Sequence, residues 1–146
     1  LDQVTKALVR RTLPLHESVT VVPRFLDFTH IRNTGAAFGF LDATDLPYKT
    51  WLLSGIAVAS LVDVGFYAAG LPREHRLARW GLALILGGAA GNLIDRVTAG
   101  FVVDFVDVYW RTYHFWAFNV ADSAISVGVT LWLLDALTTH HVSQTA

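Results

Sequence analysis

The chain has 146 residues, of which 53% are hydrophobic and only 16% are charged, and its mean hydropathy is +0.45. Soluble domains carry about a quarter charged residues, so this composition indicates a membrane protein with a single domain. The formal net charge of −1 excludes the basic footprint of a nucleic-acid-binding protein, and the absence of cysteine excludes disulfides and thiolate metal sites.

The amino-terminal residues 1–13 are predicted to be helical. Their sequence, LDQVTKALVRRTL, places Leu1, Val4 and Leu8 near helical spacing, with basic residues on the other side. This pattern is typical of the end of a membrane helix or of an interfacial amphipathic turn, whose arginines extend toward lipid headgroups. Because the chain lacks methionine and begins inside this pattern, we expect an upstream segment that contributes a first transmembrane helix.

Residues 14–48 are predicted to form a small β-rich cap outside the membrane. The run SVTVVPRFLDFTHIRN, residues 18–33, is rich in β-branched and aromatic residues and partly alternates, which predicts one or two short strands. Pro23 would interrupt a central strand, so we expect a strand edge or a break there. The residues 33–35, Asn-Thr-Gly, are a turn signal, and a patch of small residues follows them.

Three apolar segments, residues 50–69, 80–97 and 115–137, are predicted to be transmembrane helices. At about 1.5 Å per residue, roughly 20 residues span the ~30 Å hydrocarbon core. Tryptophans lie toward the segment ends, as in interfacial aromatic belts. The loop 71–79 carries three arginines, which favours a cytoplasmic position, although basic residues also flank the other ends of the segments.

Polar residues at the ends of these segments are predicted to converge. If each segment crosses the membrane once, residues 33–39, 92–104 and 119–123 share one membrane face. The helix end that carries Asp2 and Lys6 reaches the same face, because residues 14–48 connect it there. The sequence therefore predicts a functional site at this face, with a short connection after residue 97 that carries two of its acids.

Two carboxylates in this set, Asp104 and Asp122, are the candidate catalytic acids of a membrane-embedded aspartyl protease. Asp122 follows Asn119 by three residues at the start of a helix, which is also compatible with a capping role. Asp104 lies between apolar residues, and burial would raise its pKa; the alternative is a loop acid facing water, for which Asp107 is equally eligible. Two adjacent carboxylates share one proton, so that one deprotonates water while the other donates to the scissile carbonyl.

Other residues of the central segment are predicted to support this pair. Asp95 lies near the carboxyl end of its helix, where the helix dipole disfavours an anion, so we expect a partner across the bundle such as Lys6. We interpret Asp95 as structural support. Gly87 and Gly91 form a small-xxx-small pair, which predicts close helix packing.

Five motifs occur in order along the chain: DQVTK (2–6), NTGAAFG (33–39), GNLIDR (91–96), VVDF (102–105) and FNVADS (118–123). Together they resemble bacterial lipoprotein signal peptidase, also called signal peptidase II, over almost the whole length. The resemblance implies an all-α membrane bundle of four transmembrane helices, the first truncated here, with a β-rich periplasmic cap. It also implies an inner-membrane aspartyl endopeptidase that removes the signal peptide of prolipoproteins just before the diacylglyceryl-modified cysteine.

By motif, the resemblance implies that Asp104 and Asp122 are the catalytic pair near the periplasmic face. The residues that it implies line or support the site are Asp2, Lys6, Asn33, Gly88, Asn92, Asp95, Arg96, Asn119 and Ala121. It further implies inhibition by globomycin-type cyclic peptides, contact with membrane lipid, and no metal or organic cofactor. We expect a monomer, and we expect the strand-rich residues 18–40 to act as a cradle or lid over the substrate.

Two other functions compete with this interpretation. A proton-coupled transporter or channel subunit also carries intramembrane acids, and Asp63 and Asp135 favour it, since the sequence indicates no partner for Asp63. A non-catalytic assembly module would use its glycines for helix packing and would tolerate Asp104→Asn and Asp122→Asn. The transporter predicts acids spread through the bilayer, whereas most of these acids are predicted to lie at one face.

Overall fold

The computed structural model describes residues 1–35 and 48–143, with the side chains of 139–143 excepted. Within these ranges the chain forms α1 (Asp2–Thr12), β1 (Ser18–Val22), β2 (Leu26–Asn33), α2 (Lys49–Gly70), α3 (Arg76–Ala99), β3 (Val102–Trp110), β4 (Tyr113–His114) and α4 (Val120–Ser143). The part of the NTGAAFG motif after Gly35, and residues 36–40 of the expected lid, lie outside the described residues.

Three helices of this described part, α2, α3 and α4, are long and apolar enough to cross a membrane, with mean hydropathies of 1.7, 1.4 and 1.5. Their large apolar side chains point outward: Trp51 is 69% exposed, Ile56 is 55% exposed and Phe66 is 77% exposed. Such surfaces are unfavourable in water but are suited to contact with lipid chains. The helices therefore have the character of membrane spans.

The third apolar segment begins later than the sequence predicts, because α4 starts at Val120 rather than at residue 115. The Phe115 N–H donates to the Val108 carbonyl oxygen at 2.8 Å. Phe118 forms an isolated antiparallel bridge with Val106. These residues continue the sheet, and an apolar run by itself does not distinguish a buried extended segment from the start of a helix.

The four strands form one antiparallel sheet in the order β1-β2-β3-β4. Pro23 falls in the turn between β1 and β2, and β1 is an edge strand, as the sequence predicted. The predicted short connection after α3 is wrong, because β3 is a nine-residue strand within this sheet. Its pairing with β2 aligns Asn33 with Val102 and Ile31 with Asp104, so one strand pair carries two candidate site residues.

Helix α3 packs closely against α4 at Gly88. A Cβ atom at this position would collide with the Ala121 carbonyl oxygen and lie 2.8 Å from the Ile125 Cγ1 atom. The predicted packing role of Gly87 is wrong, because nothing lies within 4 Å of a Cβ placed there. The two residues differ by about 100° around the helix axis, so only Gly88 faces α4.

Helix α3 ends at the same end of the bundle where α2 begins. Gly100 stops α3 in a left-handed conformation with φ of 82°, and its N–H donates to the Arg96 carbonyl oxygen. The Gly100 carbonyl oxygen accepts a hydrogen bond from the Thr50 hydroxyl at 3.2 Å. The start of α2, the end of α3 and the strand β3 therefore meet at one end of the helices.

Candidate active site

Asp122 is fixed by a reciprocal hydrogen-bond pair at the start of α4. The Asp122 N–H donates to the Asn119 Oδ1 atom at 3.0 Å, and the Asn119 N–H donates to the Asp122 Oδ2 atom at 3.1 Å. This is a capping box, so the capping alternative is correct. The other carboxylate oxygen accepts a bond of 2.8 Å from the Asn92 side-chain amide. Asp122 remains partly exposed, and the cap therefore holds an accessible carboxylate in one orientation.

Asp104 lies on β3 and is only 3% exposed. Its Oδ1 atom accepts a hydrogen bond of 2.7 Å from the Asn119 side-chain amide, and its Oδ2 atom accepts one of 2.9 Å from Asn33. Burial raises the pKa of Asp104 from 3.8 to about 6, and the negative charge of Asp122 adds to this rise, while the hydrogen bonds from Asn33 and Asn119 oppose it. Asp104 is thus a buried acid held by two amides, and the water-facing loop alternative is wrong.

Asp107 lies farther along the same strand and has a different partner. Asp107 is paired with Asp27 on β2, whereas Asp104 is paired with Ile31, so the two acids lie at different points along β3. The Asp107 carboxylate contacts the His114 Nδ1 atom at 2.8 Å. Of the two acids that the sequence left equally eligible, the structure brings only Asp104 to Asn119.

The two candidate catalytic acids are linked through Asn119, which is fully buried. Its side chain contacts Asp104, and its backbone N–H contacts Asp122. The Asn119 amide also donates to the Asn92 Oδ1 atom at 3.2 Å, and Asn92 in turn donates to Asp122. A closed set of amide contacts therefore sets the relative position of the two carboxylates.

Lys6 anchors this set from α1 and has no exposed side-chain surface. Its ammonium group lies 2.9 Å from an oxygen of Asp2, 2.9 Å from Asp95 and 2.8 Å from the Asn92 Oδ1 atom. The predicted pairing of Asp95 with Lys6 is confirmed. An ammonium has three donors, and each of them has a partner here, which is the condition under which a charge can be buried.

The contacts of Asp95 include two residues that the sequence analysis missed. The Gln3 amide donates to the Asp95 Oδ1 atom at 3.2 Å, and Arg10 contacts the same oxygen at 3.3 Å. The interpretation of Arg10 as only a headgroup contact is therefore wrong. Residues 3, 6 and 10 recur at helical spacing, and this periodicity of polar residues was the available signal.

The remaining predicted site residues lie around this cluster. The Ala121 N–H donates to the Asp2 Oδ1 atom at 3.0 Å, which ties α4 to α1. Gly88 lies against Ala121 and permits the close approach of α3 to α4. Arg96 is placed differently, since it donates to the Gly35 carbonyl oxygen at 3.0 Å and so holds the turn after β2.

The two acids that favoured a transporter do not join the site. Asp135 contacts the His75 Nδ1 atom at 2.6 Å, where α3 begins. Asp63 is exposed on α2. Within the described residues, the side-chain partners of Asp104 are Asn33 and Asn119, and the partners of Asp122 are Asn92 and Asn119.

The chain is similar to known proteins over almost its whole length. The family model described as Signal peptidase (SPase) II matches residues 1–138. The lipoprotein signal peptidase of Geobacter metallireducens is 48% identical over 137 residues, covering 94% of this chain and 83% of that protein. That of Syntrophotalea carbinolica is 50% identical over 134 residues, covering 92% of this chain and 82% of that protein. A solved structure described as a bacterial membrane enzyme, determined by the in meso method, superposes with a TM-score of 0.82 at 35% identity, covering 94% of this chain and 80% of that chain.

The fold and the similarity to known proteins together define a membrane-bound peptidase. The chain belongs to the signal peptidase II family and is an aspartic-type signal peptidase. The resemblance drawn from five ordered motifs is confirmed, and the family favours a peptidase over a transporter or an assembly module.

Proposed function

We propose that Asp104 and Asp122 are the catalytic pair with which this protease cleaves diacylglyceryl-modified prolipoproteins, just before the lipid-carrying cysteine. The observation that carries the proposal is the contact of both carboxylates with Asn119. Two acids held by one amide residue, one of them buried with a raised pKa, support a pair that shares one proton, as in aspartic proteases.

The different surroundings of the two acids support different roles. Asp104 is the general acid, because its pKa of about 6 favours the protonated form more than that of an ordinary aspartate. Asp122 is the general base, since it is partly exposed and both of its oxygens are oriented by N–H donors. Asp122 accepts a proton from water as the water oxygen attacks the scissile carbonyl carbon, and Asp104 donates its proton to the carbonyl oxygen.

The tetrahedral intermediate then collapses as the carbon–nitrogen bond breaks. The proton held by Asp122 passes to the departing amine, and the hydroxyl proton of the intermediate returns to Asp104. The pair therefore ends the cycle with the single proton with which it began. Asn33, Asn92 and Asn119 act as positioning residues, because each donates a side-chain hydrogen bond to one of the two carboxylates.

The position of the pair suits a lipid-modified substrate. The cluster lies where α2 begins and α3 ends, so a substrate anchored by its lipid chains reaches it laterally from the bilayer. In this proposal the face is periplasmic, the membrane is the bacterial inner membrane, and α1 is the end of the first of four membrane helices. The sheet of β1 to β4 forms the cap outside the membrane, and its strand β2 contributes to the cradle for the substrate.

Cleavage of a diacylglyceryl-modified prolipopeptide by the purified monomer in lipid tests the catalytic pair. Asp104→Asn and Asp122→Asn are each expected to lower kcat by at least roughly a hundred-fold, the contribution of a general acid or base. Asp107→Asn is the matched control farther along β3, where the carboxylate contacts His114, and is expected to retain a rate within a few-fold of wild type. A globomycin-type peptide is expected to block cleavage by the wild type.

A folded Asp104 or Asp122 variant that still cleaves at nearly the wild-type rate would refute the assignment. An Asp107 variant that loses cleavage as completely as the other two would equally count against it. Unfolding midpoints of all four proteins establish that the comparison concerns catalysis rather than folding.

A further inference from the structure

We propose that the chain binds an anionic phospholipid in an open cavity of about 490 Å³, at the end of the bundle opposite Asp104 and Asp122. The cavity is formed by the end of α2, the loop that follows it and the first turns of α3. With a rise of about 1.5 Å per residue, Arg76 and Asn92 lie about 24 Å apart along α3. The cavity and the catalytic cluster therefore face opposite leaflets, and the inference goes beyond the proposed function.

Three arginines, Arg73, Arg76 and Arg79, line the mouth of the cavity and are exposed. None of them forms an ion pair with a carboxylate in the part of the chain that the structure describes. Arg79 donates one hydrogen bond to the Leu71 carbonyl oxygen at 3.1 Å, which orients its guanidinium at the loop. The acid of this loop, Glu74, is not paired with them either, so the mouth presents guanidinium groups suited to a phosphate.

Below these arginines the lining becomes apolar along a single face of α3. Trp80, Ala83 and Leu86 follow Arg76 and Arg79 at spacings of three and four residues, which places them on one side of the helix. Trp80 is 70% exposed, as is typical of a ring at the level of lipid headgroups. The surface thus changes from cationic to aromatic to aliphatic in the order in which a phospholipid changes from phosphate to glycerol to acyl chain.

This order identifies the occupant as a lipid rather than a free anion. A soluble phosphate would contact only the arginines, whereas a phospholipid also covers the apolar side chains of Ala83 and Leu86. The cavity volume is within the range of about 300–1,000 Å³ that is usual for ligand sites. Basic cavities between membrane helices at one leaflet are suited to anionic headgroups, and zwitterionic lipids lack the net charge that such a cavity selects.

An acid of the neighbouring helix α4 contacts the loop before α3 but does not line the cavity. Asp135 of α4 is engaged by His75, with 2.6 Å between Oδ2 and Nδ1, and it does not line the cavity. The pair connects the loop before α3 to α4.

Native mass spectrometry of the detergent-solubilised chain tests this site by titration with dioleoyl phosphatidylglycerol and, separately, with dioleoyl phosphatidylcholine. We expect the wild type to prefer phosphatidylglycerol. The variant R73Q/R76Q/R79Q is expected to bind it roughly a hundred-fold more weakly, at about five-fold for each arginine, with phosphatidylcholine binding unchanged. The variant R73K/R76K/R79K keeps the charge and is expected to keep most of the preference.

The matched control is R11Q/R24Q/R111Q, which removes the same charge from exposed positions elsewhere. An equal loss in the control and in R73Q/R76Q/R79Q would show diffuse electrostatic attraction and overturn the proposal. Displacement of the lipid by millimolar glycerol 3-phosphate would show a site for a soluble anion and also overturn it. If the triple glutamine variant does not fold, the three single variants replace it, each with the same five-fold expectation. Lipid binding requires no cleavage, so the result stands independently of the catalytic assignment.

Discussion

Helix α3 has two faces of opposite character. The face toward α1, α4 and β3 carries Gly88, Asn92 and Asp95, which are all buried. The opposite face carries Trp80, which is 70% exposed, and Ile94, which is 47% exposed. A helix on the surface of a soluble protein has the reverse arrangement, with its apolar face inside.

The difference reflects the solvent on each side. Lipid chains accept the apolar face without cost, whereas each polar group on the inner face needs a partner within the protein. Substitutions on the inner face that remove a hydrogen-bond or ion-pair partner, or that add an atom, should therefore lower the stability. The same kinds of substitution on the outer face should be tolerated. The three predictions below test this contrast from the largest expected effect to the smallest.

Removal of the buried cation should have the largest effect on stability. Lys6→Met leaves Asp95 and Asp2 without their ammonium partner, and a broken buried pair lowers the free energy of unfolding by about 3–5 kcal/mol. Reversible unfolding in mixed micelles measures this change. Arg11→Met, at an exposed position on the same helix, is the control and should change stability by less than about 0.5 kcal/mol. Equal effects of the two substitutions would contradict the contrast.

The second prediction concerns the strand that packs on the inner face, where the Val103 N–H donates to Asp95 at 3.3 Å. The pKa of the next residue, Asp104, is raised by burial from 3.8 to about 6. Between these values the folded state retains a proton that the unfolded state has lost, so stability falls as the pH rises through this window. Two pKa units correspond to about 3 kcal/mol.

The measurement is the free energy of unfolding of wild type minus that of Asp104→Asn, followed from about pH 3.5 to about pH 7. The ionisation of Asp104 does not affect stability below the unfolded pKa, and the destabilisation that it causes is complete above about pH 6. The difference is therefore expected to decline by about 3 kcal/mol with rising pH. A difference that stays constant with pH would show that burial does not perturb this acid.

The smallest expected effect compares two neighbouring glycines. Gly88→Ala places a methyl group against the Ala121 backbone and should lower the free energy of unfolding by about 1–3 kcal/mol. Gly87→Ala meets open space and should be neutral, or stabilising by up to about 1 kcal/mol through helix propensity. Thermal unfolding in detergent distinguishes the two variants, and a Gly87 variant that is the less stable of the pair would reverse the assignment of the two faces.

Much of the fold was predictable because hydropathy is a local property. Segments of about 20 apolar residues indicated the membrane helices, and the β-branched run after Ser18 indicated strands. The same local reasoning failed at residues 115–119, which are apolar but extend the sheet, and at β3, whose strand pairing with β2 depends on residues about 75 positions away. Pairing between strands so far apart in the chain produces no periodic pattern in the sequence that would reveal it.

The sequence was enough to predict which residues belong to the candidate site, but not the contacts between them. Single crossings of each segment are enough to bring Asp104, Asn119 and Asp122 to one end of the bundle. The choice of Asp104 over Asp107 required the register of β3, because only then is it clear which acid faces Asn119.

By itself, the sequence determined the membrane character, the order of the five motifs and the family to which the chain belongs. Only the tertiary structure decided that Lys6 joins Asn92 and Asp95, that Gly88 rather than Gly87 meets α4, and that Asp104 is buried enough to raise its pKa. The physical reason is that burial and hydrogen bonding depend on the atoms that surround a side chain, and those atoms come from distant parts of the chain.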